Sequence, residues 1–341
     1  MTNQSLMSRA ERWNHLLEEF RGFGGVVNNV IQREGKHGLG LFPVNPSLPI
    51  ELHVPSSLLV SVNNIKLQGN NIILNDKSLY PEGFGAWYER FQAEYSWGAE
   101  AQSSIQKLET DLSELPNNIN ESLRKLGLLN PERLTSSPAN IDYIFKRFVQ
   151  TRRIGIKEDL FLMPIIELIN HSPFKPSWII NEQGVTVKGE HDDEILVRYS
   201  ISDPLRRFIQ YGFNCDEPFG FSMFTQLIHR GQKITISGIM SQQPLKAPKV
   251  RMHADQIIIN SVLLGSSDSP RYPRHLLEET LGDYPKIKSD ELFDQILLVN
   301  RIKIIQLIKE LNKIKTEFSA MLQEACLMQV NMISNNIGKR S

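Results

Sequence analysis

Apolar side chains near the start of the chain recur at three- and four-residue steps, which predicts an amphipathic helix. The apolar positions of that helix are Trp13, Leu16, Leu17 and Phe20. The glycines within 22–25 predict its end, because glycine favours turns over helix. A β-rich stretch with many turns then follows as far as residue 80. Its predicted strands are 26–32, 51–54 and 58–62, and its predicted glycine-rich turn is 35–40.

The pattern becomes helical between residues 81 and 153. Helical spacing covers 87–95 and 101–112. A further stripe of apolar side chains leads into Arg152 and consists of Ile141, Ile144, Phe145, Phe148 and Val149. We therefore predict that 1–80 holds the N-terminal helix and the first part of a β-rich domain, and that 81–153 is a helical insertion within that domain.

Short apolar runs return after residue 153 and predict the second part of the β-rich domain over 154–264. The predicted strands there are 178–180, 185–187, 195–199, 233–239 and 256–264. The sequence Gly265–Pro270 predicts a linker. Beyond it, apolar residues between Ile304 and Ala325 recur at helical steps without a sustained heptad, which predicts a core-facing stripe rather than a coiled coil. The fold class is therefore α+β, with a helical C-terminal domain over 271–341.

Composition narrows the class of protein. The chain has 341 residues, which as a rule of thumb is enough for about two domains. Its 38 basic and 38 acidic side chains give a formal net charge of zero, so a chain-wide basic field for nucleic acid is not expected. A hydrophobic fraction of 40% is ordinary for a globular protein.

Cysteine usage and hydropathy indicate the compartment. The two cysteines, Cys215 and Cys326, lie far apart and predict neither a disulfide framework nor a paired-cysteine zinc site. The most apolar run, Leu160–Ile169, is shorter than a membrane span and contains Glu167. The first residues lack the apolar core of a signal peptide. We expect a cytoplasmic protein with no membrane partner.

The most informative segment of the chain is an apolar run that ends in three polar residues. It spans Leu162–Ser172 and closes with Asn170-His171-Ser172, three residues after Glu167. Asparagine offers an amide donor and an acceptor on one short side chain, and histidine adds a ring nitrogen. At the end of a buried segment this pair is suited to holding a polar ligand. The alternative is an Asn-His turn whose side chains bond to their own backbone.

Other short motifs accompany this segment in a fixed order along the chain. They are Gly38-Leu39-Gly40-Leu41, Thr151-Arg152, Tyr199 at a predicted strand end, and Tyr211-Gly212-Phe213. Together with the segment that ends at Ser172, they resemble the motifs of SET-domain protein-lysine methyltransferases. The branch is the one with a helical insertion and a helical C-terminal domain, as in Rubisco large-subunit methyltransferase. The resemblance extends from the first helix to about Pro218.

The resemblance implies a β-rich SET fold of short strands and a protein-lysine N-methyltransferase. Such an enzyme moves a methyl group from S-adenosylmethionine to a lysine amine of a soluble protein, leaves S-adenosylhomocysteine, and needs no metal or nucleic acid. By this resemblance Tyr199 is the catalytic residue, with its hydroxyl beside the transferring methyl. The implied cofactor-binding residues are Gly38, Leu39, Gly40, Arg152, Asn170, His171 and Phe213. The implied substrate-channel residues are Glu167 and Tyr211.

Three positions depart from the family pattern and keep other functions open. Glu167 stands where aspartate is usual, Thr151 where serine is usual, and Ser200 where glycine usually follows the catalytic tyrosine. Ser200 favours a catalytically degenerate SET-fold module that binds a protein or peptide without methylating it. A SET methyltransferase that acts on a non-lysine residue, such as a histidine ring, is a further alternative.

Single residues also have simpler interpretations. Arg152 can be a surface charge, Phe213 can be an ordinary core residue, and Tyr211 can have a structural role only.

Overall fold

In a computed structural model, the structure describes residues 7–238, 248–253, 256–284 and 287–335. The helices are α1 Arg9–Gly22, α2 Phe84–Tyr95, α3 Gln102–Ser113, α4 Asn117–Lys125, α5 Pro131–Thr135, α6 Ile141–Arg152, α7 Pro204–Tyr211, α8 Tyr272–Thr280, α9 Ser289–Leu311 and α10 Glu317–Ser334. The strands are β1 Val26–Asn28, β2 Val30–Gly35, β3 Gly38–Pro43, β4 Ile50–Pro55, β5 Val60–Ser61, β6 Ile65–Gln68, β7 Asn71–Leu74, β8 Ile154–Ile156, β9 Asp159–Leu162, β10 Asn170–His171, β11 Ile179–Asn181, β12 Gly184–Gly189, β13 Leu196–Val197, β14 Phe219–Phe221, β15 Thr225–His229, β16 Gln232–Ile236, β17 Val250–His253, β18 Gln256–Ile259 and β19 Leu263–Ser266. Short strands and separate helices confirm the α+β class.

The chain divides into two compact units. The first unit contains the described residues of Met1–Lys107 and Ser137–Tyr199, and the second contains those of Leu108–Ser136 and Ser200–Ser341. By this division, part of the predicted insertion is grouped with the C-terminal half of the chain. The predicted segment boundaries at 80, 153 and 264 stay a prediction. Among the described residues, none of the helices is long and apolar enough to span a bilayer.

The first unit is built from small sheets around an aromatic core. Its largest sheet is antiparallel, in the order β1-β4-β12-β11. The predicted N-terminal helix is confirmed as α1, which begins with a capping box between Ser8 and Glu11. The apolar stripe of α1 is fully buried. Phe20 stacks on Trp87 of α2 at 5.1 Å between ring centroids, so the two helices share one core.

The predicted glycine-rich turn is a tight hairpin between β2 and β3. The pairing runs in register from Val30 opposite Pro43 to Gly35 opposite Gly38, and leaves a two-residue turn. Gly38 has a φ of +83°, a conformation that glycine adopts without steric cost. The hairpin therefore fixes the position of Leu39 and Gly40 relative to the rest of the first unit.

The second unit combines a four-stranded sheet with three helices near the C-terminus. The sheet order is β15-β16-β18-β17, with β16 and β18 parallel. The predicted C-terminal stripe is confirmed as core-facing, but a break at 312–316 divides it between α9 and α10. Its buried members are Ile304, Leu307, Leu311, Phe318, Leu322 and Ala325. The predicted strand 233–239 is present as β16, and residue 239 lies outside the described residues.

Two predictions about strands are wrong in their details. The predicted linker 265–270 begins inside β19, which pairs with β14. The predicted strand 58–62 is shortened to the two residues of β5, with a 3₁₀ turn on either side. In both places the pairing partner lies far away in sequence, so local residue patterns did not reveal it.

Candidate active site

Leu39 lies on the outer edge of the β2–β3 hairpin, the edge of β3 that faces away from β2. Its main-chain N–H donates a hydrogen bond to a carboxylate oxygen of Glu100 at 3.1 Å. Its main-chain carbonyl accepts a hydrogen bond from Nδ2 of Asn170 at 3.2 Å. One peptide edge of the predicted Gly-Leu-Gly motif is thus next to the asparagine of the predicted Asn-His-Ser motif.

The side-chain amide of Asn170 is held through its donor group. Besides Leu39, its Nδ2 contacts the carbonyl oxygen of His37 at 3.4 Å and Oε1 of Glu194 at 2.6 Å. This hydrogen-bond network assigns the orientation of the amide, because the surrounding atoms are oxygens that accept and only the NH₂ side of the amide can donate. Among the residues that the structure describes, no donor bonds to the Asn170 carbonyl oxygen Oδ1. That oxygen is available to accept a hydrogen bond from a ligand.

Gly40 is required by the close approach of these groups. A Cβ atom at this position would lie 2.4 Å from Oε1 of Glu194 and 2.8 Å from Nδ2 of Asn170. Both distances are shorter than real Cβ contacts, so any side chain would displace the Glu194–Asn170 pair. Gly40 lies within β3, so this glycine meets a packing requirement of the site rather than of the turn.

Main-chain hydrogen bonds join three segments at this place. Ile195 N–H donates to the Leu41 carbonyl at 2.8 Å, directly beyond Gly40 on β3. Strands β10 and β13 pair in parallel, with Asn170 opposite Leu196 and His171 opposite Val197. The hairpin, β10 and the segment that leads to Tyr199 are consequently held together by regular backbone pairing.

Tyr199 contacts both residues that flank Asn170. Its hydroxyl donates to the main-chain carbonyl of Ile169 at 2.6 Å. Its main-chain N–H donates to Nδ1 of His171 at 3.1 Å, and the two rings lie 5.0 Å apart. Since Nδ1 accepts this hydrogen bond, the proton of the neutral imidazole is on Nε2. Trp178 packs against Tyr199 at 6.0 Å between ring centroids.

The backbone just before the Asn-His pair adopts a rare conformation. Ile165 has φ of +68° and ψ of −53°, and Ile166 N–H donates to the Pro164 carbonyl at 2.9 Å. This is a γ-turn with positive φ, a strained conformation for a β-branched residue that costs about 1–3 kcal/mol. Such strain persists only where the surrounding structure fixes it.

Glu167 follows this turn and is buried at 9% exposure. Its Oε1 accepts hydrogen bonds from Nε2 of Gln92 at 2.8 Å and from Oγ of Ser96 at 2.6 Å. Burial raises the pKa of the Glu167 carboxyl, while Ser96, the charge of Arg152 and Gln92 act to lower that pKa. Its second oxygen, Oε2, is buried and has no hydrogen-bond partner among the described residues. The substrate-channel role of Glu167 stays a prediction.

Arg152 lies at the end of α6. Its guanidinium lies over the Phe148 ring at 4.5 Å and donates to the Thr151 hydroxyl at 3.0 Å. Its charge acts on the pKa of Glu167, so it belongs to the surroundings of the same buried carboxylate. Arg152 is only partly exposed, which differs from a free surface charge.

Tyr211 and Phe213 belong to the second unit. Tyr211 ends α7, Gly212 caps that helix with a φ of +81°, and the rings of Tyr211 and Phe213 lie 5.9 Å apart. Arg207 lies over the Tyr211 ring at 5.3 Å. Their predicted roles, in the substrate channel for Tyr211 and in cofactor binding for Phe213, stay predictions.

Sequence reasoning missed four polar residues that hold the site. Glu194 and Glu100 bind Asn170 and Leu39, and Gln92 and Ser96 bind Glu167. Glu100 lies in a π-helical turn, Trp97–Ala101, a feature that is frequent at functional sites. Glu194 follows charged residues and precedes a strand. This position is the one feature of the sequence that could have indicated a role for it. Gln92 lies in α2, and Ser96 and Glu100 lie between the two predicted helices, so the helical pattern indicates no site role for these three.

The chain can be compared with known proteins over its whole length. No protein-family model matches the sequence, and no curated protein matches it. Among solved structures, the chain is similar to the SET domain of LSMT bound to lysine and AdoHcy, with 13% identity and a TM-score of 0.43, over 97% of this chain and 91% of that one. It is similar over the same shares to Rubisco LSMT bound to AdoMet, with 14% identity and a TM-score of 0.41. A third similar structure, with 14% identity and a TM-score of 0.43, is Rubisco LSMT bound to sinefungin and monomethyllysine.

Proposed function

We propose that this chain is a protein-lysine N-methyltransferase that uses S-adenosylmethionine. The observation that carries the proposal is the direct bonding of three separate motifs. Asn170 bonds to the Leu39 carbonyl, and the neighbouring Ile169 carbonyl accepts the Tyr199 hydroxyl. Leu39 and Tyr199 therefore bond to two consecutive residues, Asn170 and Ile169, at the start of β10.

The residues present fit the amino-acid end of the cofactor. That end carries an ammonium and a carboxylate, so it needs hydrogen-bond acceptors and donors side by side. The Leu39 N–H and carbonyl are bonded to Glu100 and Asn170, and Oδ1 of Asn170 is the open acceptor beside them among the described residues. Gly40 has no Cβ, which leaves the space in which Glu194 and Asn170 lie against β3. These observations support an ammonium-binding corner at Asn170.

By the same proposal, other residues of the chain complete the cofactor site. The main chain of Gly38 and Leu39 would hold the amino-acid end, and the main chain of His171 would face the adenine. Arg152 would approach the carboxylate, where a planar guanidinium suits two oxygens. Phe213 would pack against the adenine.

The chemistry depends on alignment more than on acid or base strength. When bound, S-adenosylmethionine supplies a methyl group activated by a sulfonium. The hydroxyl of Tyr199 donates its proton to the Ile169 carbonyl, so the lone pairs of its oxygen are left to face a developing positive charge. The target lysine must be neutral to attack, and because its ordinary pKa is near 10.4 it loses a proton before or during transfer. The resemblance further assigns Tyr211 to the lining of a substrate channel.

Two measurements test the proposal. Addition of S-adenosylmethionine or S-adenosylhomocysteine should raise the unfolding temperature of the protein, since ligand at 100 times its Kd stabilises by about 2.7 kcal/mol. Adenosine at the same concentration is the control for non-specific nucleoside binding. Labelled cofactor and cell lysate should then give a labelled protein whose modified residue is a lysine. No thermal shift at saturating cofactor would contradict the proposal.

Ser200 after Tyr199 supports one competing function, a SET-fold module that binds a protein without methylating it. That module would either bind cofactor and label nothing, or not bind cofactor at all. If the labelled residue proves to be a histidine, the enzyme is a methyltransferase with a different nucleophile.

A further inference from the structure

The buried carboxylate of Glu167 connects α2 to the segment that carries Asn170. Two donors from one helix end converge on the same oxygen, Gln92 Nε2 at 2.8 Å and Ser96 Oγ at 2.6 Å. Gln92 is fully buried and Ser96 is 3% exposed. Water therefore does not compete for these hydrogen bonds, and each of them fixes the position of Glu167.

The short segment between Glu167 and Asn170 makes the position of Asn170 depend on that of Glu167. Glu167 N–H donates to the Met163 carbonyl at 2.9 Å, and Ile169 N–H donates to the Ile166 carbonyl at 3.1 Å. The side chains of Ile166 and Ile169 are buried at 1% exposure. A short, hydrogen-bonded 3₁₀ turn between buried anchors has little freedom, so a shift of Glu167 would move the Ile169 carbonyl and Asn170 together.

The strained γ-turn at Ile165 explains why the position of Glu167 has to be fixed. A β-branched residue at a φ of +68° would relax to negative φ if the chain on either side were free. Relaxation would rotate the peptide planes that follow it, which are those leading to Asn170. The hydrogen bonds to Glu167 oppose this movement from the C-terminal side of the turn.

We propose that Gln92 and Ser96 are positioning residues for the cofactor site, and that they act through the Glu167 carboxylate on Asn170 and the Ile169 carbonyl. This inference rests on the proposed function, because it assumes that Asn170 contacts the cofactor. It assigns Gln92 and Ser96 a role in binding although neither belongs to a sequence motif. Glu167 then acts as an internal anchor that links α2 to β10.

Three variants test the positioning role. Ser96→Ala removes one donor with little change in volume, and Ser103→Ala is the matched control because its hydroxyl bonds only to the Glu100 carbonyl and is exposed. Glu167→Gln is the conservative variant, because its amide oxygen can still accept from Gln92 and Ser96. We expect the cofactor Kd, measured by calorimetry, to rise roughly three- to tenfold in Ser96→Ala. In Ser103→Ala we expect a change below twofold, and Glu167→Gln should keep more affinity than Ser96→Ala.

A second readout does not depend on activity. In the absence of cofactor, the amide hydrogens of 167–172 should exchange faster in Ser96→Ala than in the wild type, while those of β4 and β12 should not change. Turnover at saturating cofactor should also fall in Ser96→Ala, because the Ile169 carbonyl orients the Tyr199 hydroxyl. A lower unfolding temperature with an unchanged Kd would show a purely structural role and overturn the inference.

The outcomes separate this inference from the proposed function. If the wild type binds no cofactor, the proposed function fails. If the wild type binds and Ser96→Ala binds equally well, only the positioning role fails. If Glu167→Gln loses as much affinity as Ser96→Ala, or more, the charge of Glu167 acts on the ligand directly, and the positioning role is again overturned. Gln92→Met provides a second donor deletion, should Ser96→Ala fold poorly.

Discussion

The hydroxyl of Tyr199 donates a hydrogen bond to the main-chain carbonyl of Ile169 at 2.6 Å. This contact turns the phenol proton towards the backbone and leaves the oxygen lone pairs on the other side. The oxygen is thereby oriented without the help of any ligand. Because Ile169 precedes Asn170, the orientation of the phenol and the position of the asparagine depend on the same stretch of chain.

Removal of the Tyr199 hydroxyl oxygen should leave cofactor binding nearly unchanged and slow methyl transfer. In Tyr199→Phe the ring contacts with His171 and Trp178 are retained, so we expect the cofactor Kd to change less than twofold. Methyl transfer should fall on the order of 10²-fold, the usual loss when one oriented dipole is removed from a reacting centre. Single-turnover assays with labelled cofactor measure both quantities. Tyr80→Phe is the control for the same chemical change elsewhere in the first unit, and unchanged turnover in Tyr199→Phe would mean that another residue has this role.

A methyl group at Gly40 should damage the site more than it damages the fold. The new Cβ would meet Glu194 Oε1 at 2.4 Å and Asn170 Nδ2 at 2.8 Å, so the Glu194 side chain must move and the Asn170 amide must shift with it. We expect Gly40→Ala to weaken cofactor binding roughly tenfold, equivalent to about 1.4 kcal/mol. Gly22→Ala is the matched control, because its Cβ would have nothing within 4 Å. Calorimetric titration that gave equal Kd values for the two variants would argue against cofactor binding at this edge.

The sequence predicts the central segments of the site. It does not predict the residues that hold those segments in place. Asn170, His171 and Tyr199 stand in short motifs whose order is informative, and the structure bonds Tyr199 directly to His171 and to Ile169, the two neighbours of Asn170. Glu194 and Ser96 bind these segments from elsewhere in the chain. Their contacts depend on which elements are neighbours in three dimensions, and a single sequence carries little information on that.

The clearest wrong prediction about the fold is the linker that begins at a glycine. Gly265 was interpreted as part of a linker, yet it pairs with Gly220 between β19 and β14. A Cβ at Gly265 would lie 2.3 Å from the Met332 carbonyl of α10, and one at Gly220 would lie 2.7 Å from the Ile333 side chain. Both glycines allow a helix to pack closely on a strand pair. Close packing and turns select the same residue, so composition alone does not distinguish them.

A buried ion pair makes the second unit sensitive to single charge deletions. Arg207 Nε donates to Glu217 Oε1 at 2.5 Å, and both side chains are 1% exposed. Glu217→Ala leaves the guanidinium buried without this partner, so we expect the free energy of unfolding to fall by about 3–5 kcal/mol. Urea denaturation measures the change.

Two further variants test the reason for that loss. Glu291→Ala breaks an exposed pair with Arg230, and its effect should stay below about 1 kcal/mol. The double variant Arg207→Met with Glu217→Leu should recover much of the stability, because it removes both buried charges. If Glu217→Ala cost no more than Glu291→Ala, the pair would not be excluded from water.

The cysteines should be unreactive in the folded protein. Burial, and next the nearby charge of Glu217, raise the pKa of Cys215 to about 12, against a smaller lowering by Arg207. Burial also raises the pKa of Cys326. At pH 8 a thiol of pKa 12 is thiolate in roughly one molecule in 10⁴, and only the thiolate reacts with iodoacetamide. We therefore expect negligible labelling in minutes at pH 8, and labelling of both cysteines in guanidinium chloride.

Since the pKa of Cys215 is raised, the rate at which Cys215 is alkylated in the native protein should increase about tenfold per pH unit between 8 and 11. Mass spectrometry of the alkylated peptides distinguishes the two thiols, and rapid native labelling of Cys215 at pH 8 would show that its thiolate is stabilised by a group other than those named.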